Sequence, residues 1–195
     1  MAVAKVPPID RISLIGGDLS LDFVNTTGAR RSGAPRERLH AWRDVVVWCR
    51  RVGLPPPAVN AERASAPLRR LLFLREAIYR IFRSTLDGTA PAGGDVARLN
   101  TALARSARVR RLDSPARGRW AWTPEVGEDA VAGPVARAAA DLLTSPRGRS
   151  LRKCDECDWL FLDVSRGRRR RWCKKTCRDR VKSRAYYRRR KTSSP

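Results

Sequence analysis

The sequence predicts a mostly α chain with a small β element (α+β): a multihelical N-terminal domain followed by a small cysteine-bearing C-terminal module. Three observations carry that expectation. Stretches between residues 39 and 143 repeat apolar residues at spacings of three and four. Two short runs near residues 109–122 alternate apolar and polar residues around a turn signal. Four of the five cysteines fall in two tight pairs between Cys154 and Cys177, amid the densest positive charge of the chain.

Taken in order, residues 1–14 form an N-terminal extension with two prolines. Ile15–Thr26 opens on a Gly-Gly turn. Leu19, Leu21 and Phe23 alternate as in a strand, while Leu21, Val24 and Asn25 share a helix face, and periodicity leaves both open. Gly28–Pro35 is a loop. Leu39–Val52 is a helix, with Leu39, Trp42, Val45 or Val46, and Cys49 inward, stopped by Gly53 and Pro55–Pro57. Leu68–Leu86 is the strongest helix: Leu68, Leu71, Leu72, Arg75, Ile78, Tyr79 and Phe82 follow the 3.6 period, Pro67 suits the first turn, and Asp87-Gly88 ends it. Asp95 reads as the N-cap of a helix through Leu103. Val109–Leu112 and Trp120–Trp122 make a β-hairpin around Ser114–Gly118, and Pro134–Leu143 returns to helix. The boundaries that follow are an N-terminal domain at 15–145, a linker at 146–150, a C-terminal module at 151–191 and a disordered tail at 192–195.

A chain of 195 residues with 42% hydrophobic residues has enough apolar material for a core. It holds no apolar run of about 18 residues, so no membrane span is expected, and MAVAKVPPIDRISL has no apolar central block of the secretory kind. Both point to the cytoplasm, where paired cysteines bind metal more often than they form disulfides. The net charge of +23 selects polyanionic partners, nucleic acid first. The charge is concentrated: residues 146–195 hold 19 of the 42 basic residues and 5 of the 19 acidic ones, a net of +14 against +9 for the first 145. General arginine bias would spread it more evenly.

The cysteines follow the pattern Cys154-x2-Cys157, fifteen residues, Cys173-x3-Cys177. Zn²⁺ takes four tetrahedral ligands and binds thiolates at about 2.3 Å. A C-x-x-C knuckle puts two sulfurs on one side of a tight turn, and an x3 spacing puts Cys173 and Cys177 one turn apart on a helix. The residues between suffice for a hairpin with Trp159–Asp163 running out, Ser165–Gly167 at the turn and Arg168–Trp172 running back. Knuckle, hairpin and helix compose a treble-clef-like zinc finger holding one structural ion. Four thiolates around Zn²⁺ carry a formal charge of about −2, which Lys174, Lys175 and nearby arginines offset. A redox C-x-x-C would follow a strand in a βαβ unit, and none surrounds Cys154. A catalytic ion would need an open coordination position. Cys49, alone on an apolar helix face, is expected as a buried small hydrophobe.

Past the second pair, basic residues cover several faces of a helix. Arg168, Arg169, Arg170, Arg171, Lys174, Lys175, Arg178, Arg180, Lys182, Arg184, Arg188 and Arg189 are the candidate nucleic-acid contacts, built for phosphate binding with little sequence preference. Val181, Ala185 and Tyr186 are expected as the packing stripe. Tyr186 and Tyr187 could instead stack on unpaired bases, with core packing the favoured reading.

The run C-x-x-C-x-W-L-F-L-D-x-S-R…R-R-R-W-C…C resembles the CGNR zinc finger of bacterial proteins regarded as stress-related transcription regulators. GGDLSLDFVNT resembles the opening of the ABATE domain that usually precedes that finger, and LREAIYRIF, DVARLNTAL and the Trp120–Trp122 strand match further along. The resemblance implies Cys154, Cys157, Cys173 and Cys177 as zinc ligands. The name-giving Cys-Gly-Asn-Arg is Cys177-Arg178-Asp179-Arg180 here, and the family usually has one more residue between the last two cysteines.

Asp22, Asn25 and Thr26 fall in the ABATE-like motif. They are candidates for a ligand pocket, or for helix capping and backbone satisfaction, the latter favoured. His40 sits among polar and basic residues and is expected to be exposed. No catalytic constellation is visible. The functional expectation is a non-enzymatic, zinc-dependent, DNA-binding transcription regulator, its N-terminal domain sensing a small-molecule effector or forming a homodimer. The rivals are an RNA- or ribosome-binding zinc protein and a zinc-thiolate redox switch.

Overall fold

The computed structural model describes residues 8–30, 35–114 and 120–192. The first seven residues, part of the Gly28–Pro35 loop, the turn within 115–118 and the tail from 193 lie outside them. Among the described residues, six α-helices and four short strands follow a 3-10 turn at Ile9–Arg11: α1 (Leu19–Val24), α2 (Trp42–Val52), a 3-10 turn (Ala61–Arg63), α3 (Ser65–Asp87), α4 (Gly93–Val109), β1 (Leu112–Asp113), β2 (Ala121–Trp122), α5 (Asp129–Thr144), a further 3-10 turn (Pro146–Ser150), β3 (Leu151–Lys153), β4 (Leu160–Leu162) and α6 (Lys175–Thr192). The mostly α reading with a small β component holds.

Capping settles what periodicity left open between residues 15 and 26. Asp18 accepts hydrogen bonds from both the backbone N and the Oγ of Ser20, and Asp22 accepts one from Gly16 N. These bonds satisfy orphan donors and start a helix, α1, only six residues long. Leu21, Phe23 and Val24 are fully buried where α1 meets α3, α5 and β4.

α2 begins at Trp42, later than Leu39, because Asp44 accepts from the backbone N–H groups of His40 and Ala41 and fixes the start there. Leu39 is buried just ahead of it. Gly53 and Gly88 end α2 and α3 in the left-handed conformation. Asp95 is not an N-cap: α4 starts at Gly93, and the Asp95 carboxylate, inside the first turn, is held bidentately by Arg80 at 2.6 and 2.8 Å. α4 also runs to Val109, past the expected end at Leu103 and into the first expected strand. The hairpin itself is present but short, pairing Leu112 with Trp122 and Asp113 with Ala121. α5 begins at Asp129 and carries Pro134 in its interior. Burial of Ala130, Val131 and Ala132 ahead of the proline extends the helix against the usual preference for proline in the first turn.

One apolar core runs through both parts of the chain. Trp48, Phe23, Phe82 and Ile78 share it with Leu160 and Phe161. A polar cluster is embedded beside it. Arg75, on the apolar stripe of α3 and only 3% exposed, forms two bonds with Glu37 (2.8 and 2.6 Å) and one each with Glu76 (2.9 Å) and Thr26 Oγ1 (3.0 Å). Arg30 pairs with Glu76 at 3.0 Å and lies 3.8 Å from the Tyr79 ring centroid. Burial alone would raise both carboxyls, but Arg75 at Glu37 and Arg30 at Glu76 hold them below the usual glutamate value. No described helix is long and apolar enough to cross a membrane.

A candidate metal centre and nucleic-acid interface

The cysteine module is assembled on the N-terminal domain by backbone pairing. β3 and β4 form an antiparallel hairpin, Leu151 opposite Leu162 and Lys153 opposite Leu160, and the Cys154–Cys157 knuckle is its turn. The expected hairpin, in which Arg168–Trp172 would return against Trp159–Asp163, is therefore not the one formed. Asp163 organises that segment instead. Fully buried, it accepts from Ser165 N, Ser165 Oγ and Arg170 N, which folds residues 163–170 into a loop. The returning chain is tied to the knuckle at one point, where Asp155 N donates to Arg171 O and Arg171 Nε donates to the Asp155 carboxylate.

The outer edge of β4 is covered by the N-terminal domain. Asn25 behaves as a surrogate strand residue: its Nδ2 donates to Leu160 O at 2.8 Å and its Oδ1 accepts from Leu160 N at 3.0 Å. Leu162 N donates to Gly16 O, and Trp159 Nε1 donates to Thr27 O at 3.0 Å. Gly28 is required beside that indole, since a Cβ there would lie 2.9 Å from Trp159 Nε1. Thr26 Oγ1 donates to Phe23 O and accepts from Arg75. The side chains of Asp22, Asn25 and Thr26 are thus all engaged in internal hydrogen bonds.

The four sulfurs converge. Their Sγ atoms all lie within 4.8 Å of one another, with Cys157 at 3.5 Å and Cys177 at 3.7 Å from Cys173. Ligands at about 2.3 Å from a tetrahedral ion stand about 3.8 Å apart, so the donor set fits Zn²⁺ in number, type and spacing. Cys173 precedes α6 rather than riding on it, and Cys177 lies in its first turn, so both sulfurs sit at the positive end of the helix dipole. Backbone N–H groups of Cys173 and Glu156 face Cys154, and that of Trp159 faces Cys157.

Among the bare thiols, hydrogen bonds from Cys157 and Cys173 pull Cys154 below the ordinary thiol value. The same bond to Cys154 pushes Cys157 up to about 12 and also raises Cys173. Burial raises Cys177. Such a cluster accepts one negative charge readily and the rest only around a cation. All four donors are sulfur, so an ion held there would have a filled coordination shell and would supply folding energy and orientation. Cys49 is fully buried in the helical core, its thiol pushed up to about 12 by desolvation.

Residues 17–146 match a family model named ABATE, described as "Putative stress-induced transcription regulator". The chain belongs to the ABATE family. Residues 150–190 match the CGNR zinc finger. No curated protein matches the chain. Within the CGNR finger, Arg178 and Asp179, standing in the Gly-Asn positions, are partly exposed on the first turn of α6 and lie 3.5 Å apart.

The ABATE–CGNR frame brings half of the twelve candidate cations together. Arg169, Arg170, Arg171, Lys174, Lys175 and Arg178 line one shallow groove of about 320 Å³ beside the zinc site. Arg170 and Arg171 are also structural. Arg170 lies over Phe161 at 5.0 Å and donates to Cys173 O, while Arg171 pairs with Asp155 at 2.8 Å. Arg168 is exposed at a positive φ of 46°. Arg180, Lys182, Arg184, Arg188 and Arg189 continue along α6, where Arg184 pairs with Glu156. Tyr186 is not part of a packing stripe: it and Tyr187 are 56% and 68% exposed and meet edge to face. Only Val181 and Ala185 are half-buried.

Sequence reasoning missed three cations of the N-terminal domain, Arg11, Arg36 and Arg38, that face the finger. The arginine-dense GARRSGAPRER segment was the available signal.

Proposed function

We propose that this protein is a non-enzymatic transcription regulator that binds DNA through its zinc finger and α6. The observation that carries this reading is α6 itself. It spans 18 residues, about 27 Å at 1.5 Å per residue, and beyond its first turn carries no sustained apolar stripe, only half-buried Val181 and Ala185 and two exposed tyrosines among the cations. A helix without an apolar stripe either bridges solvent or meets a charged partner. Zinc fixes its N-terminus, so its cations project at a defined angle beside the groove at Lys174 and Lys175. The DNA major groove, about 12 Å wide, admits such a helix. Selection of bound sequences from a random duplex pool tests the reading: an enriched motif supports a regulator, and no enrichment with salt-sensitive binding to any duplex leaves only a phosphate binder.

A second reading, single-stranded RNA, draws on the exposed Tyr186–Tyr187 pair, since aromatic faces stack on unpaired bases. Competition between duplex DNA and structured RNA at about 0.15 M salt separates the two. The N-terminal domain is proposed to sense an effector or to dimerise. Light scattering and a metabolite thermal-shift screen test that part, and a strict monomer without ligand shifts overturns it.

A further inference from the structure

A second basic concavity lies on the seam between the ABATE domain and the finger, separate from the groove at Arg169–Lys175 except that Lys174 borders both. Its volume is about 200 Å³. The N-terminal domain contributes Arg11, Arg36 and Arg38; the finger contributes Lys174 and Arg180. No ion pair within 4 Å joins any of these five side chains to a carboxylate among the described residues; Glu37, the carboxylate acting on Arg38, is held by Arg75. The one carboxylate at the rim, Glu156, is bound by Arg184.

The cations are positioned by the fold. Arg51, on α2, clamps the 3-10 turn that carries Arg11 by donating to the carbonyls of Ile9 and Ile12 at 3.0 and 2.6 Å. Reciprocal backbone bonds between Gly28 and Arg36 pin Arg36. Arg38 and Lys174 each lie 5.4 Å from the Trp159 ring centroid, so two cations flank one indole. Arg38 is 8% exposed, and burial lowers its pKa. Its Nη1 is used by Thr26 O and Arg36 O, but its Nε has no partner. A buried guanidinium N–H without an acceptor is costly, and an anion in the concavity would relieve it.

The zinc centre does not account for the charge. A tetrathiolate ion carries a formal charge of about −2, and five cations exceed it even with Glu156 counted. We propose that this seam concavity binds a phosphoryl group, held by Arg11, Arg36 and Arg38 from one side and by Lys174 and Arg180 from the other. The group arrives either on the backbone of bound DNA, which deepens the proposed function and rests on it, or on a free phosphorylated molecule, which does not.

The test uses full-length, zinc-loaded protein and an Arg11→Gln/Arg36→Gln double variant, which leaves the finger and α6 intact. Pyrophosphate, against chloride at equal ionic strength, is expected to raise the melting temperature of the wild type and to do so at least several-fold less effectively in the variant. For duplex DNA, the slope of log affinity against log salt is expected to fall by about 2 in the variant if DNA phosphates occupy the site, since each phosphate contact contributes about 0.9, and to stay unchanged if only the free ligand does. An Arg188→Gln/Arg189→Gln variant separates the readings: it should weaken DNA binding and leave the pyrophosphate shift in place. Pyrophosphate stabilisation lost in the first variant, in a protein that binds no DNA, would sink the proposed function and keep this site. Stabilisation that persists in the first variant, or its absence together with an unchanged DNA salt slope, overturns the site.

Discussion

α3 and α6, the two longest helices among the described residues, are ordered by opposite means. α3 buries Leu71, Leu74, Ala77, Ile78, Ile81 and Phe82 along one face, so packing holds it along its length. α6 buries Cys177 and little else; it is held at one end, through a sulfur. A helix held by packing has its surface committed to its own protein. A helix held at its terminus leaves nearly all of its surface for another molecule. The contrast also places the polar weak points. In α3 the weak point is a buried ion pair, and in α6 it is the metal.

The largest break should come from the metal. Zinc removal, or Cys154→Ser, should abolish binding of about one Zn²⁺ per chain and melt α6, because structural zinc contributes on the order of 10 kcal/mol or more to small modules. Atomic emission and far-UV circular dichroism check this, and α6 keeping its helicity in the metal-free protein would contradict it.

Next comes Arg75→Met, which leaves Glu37 inside the protein without its cation. The expected loss is about 3–5 kcal/mol in denaturant unfolding, with zinc content unchanged. pH gives this variant a sign. In the wild type Arg75 and Arg30 hold the Glu37 and Glu76 carboxyls below the ordinary glutamate value. Their stabilisation is therefore complete above about pH 4.5 and lost as pH falls through the lowered folded values. In the variant Glu37 is no longer held down by Arg75, so the loss of stability on acidification should be smaller than in the wild type.

Smaller is Asn25→Ala. It orphans the Leu160 N–H and C=O and should cost about 1–3 kcal/mol, read as a lower melting temperature together with faster zinc loss to a chelator. Smallest is Tyr186→Ala/Tyr187→Ala. Both rings are exposed, so stability should move by no more than about 0.5 kcal/mol, while affinity for single-stranded nucleic acid falls about tenfold or more if the rings stack on bases.

How much of this was legible in the sequence follows the same division. α3 was read almost whole, because its 3.6 period is long and unbroken; Arg75 was placed on its apolar stripe, but the carboxylates that let it be buried there come from elsewhere in the fold. The cysteine quartet was legible because chemistry fixes its spacing. What failed depended on partners far along the chain. The strand that pairs with Leu160–Leu162 precedes the knuckle, and three residues, Leu151–Lys153, are too short to show a strand pattern. α1 is too short for periodicity, so its helix rests on Asp18 rather than on pattern. Pro134 looked like a helix start because the packing of Ala130–Ala132 is invisible from composition. Tyr186 was assigned to packing on helical spacing alone, although the surrounding arginines leave it no apolar surface to meet.

The Asn25–Leu160 pair joins residues 135 positions apart, and this has a consequence for how the protein matures. The ABATE helices leave the ribosome first, carrying the Asn25 amide without its Leu160 partner. That amide stays unmatched until β4 arrives with the knuckle. Metal loading of the knuckle would then steady this seam too, and zinc scarcity would be felt in the helical domain as well as in the finger. Hydrogen exchange at the Leu160 amide, slow with zinc and fast without it, would record that step.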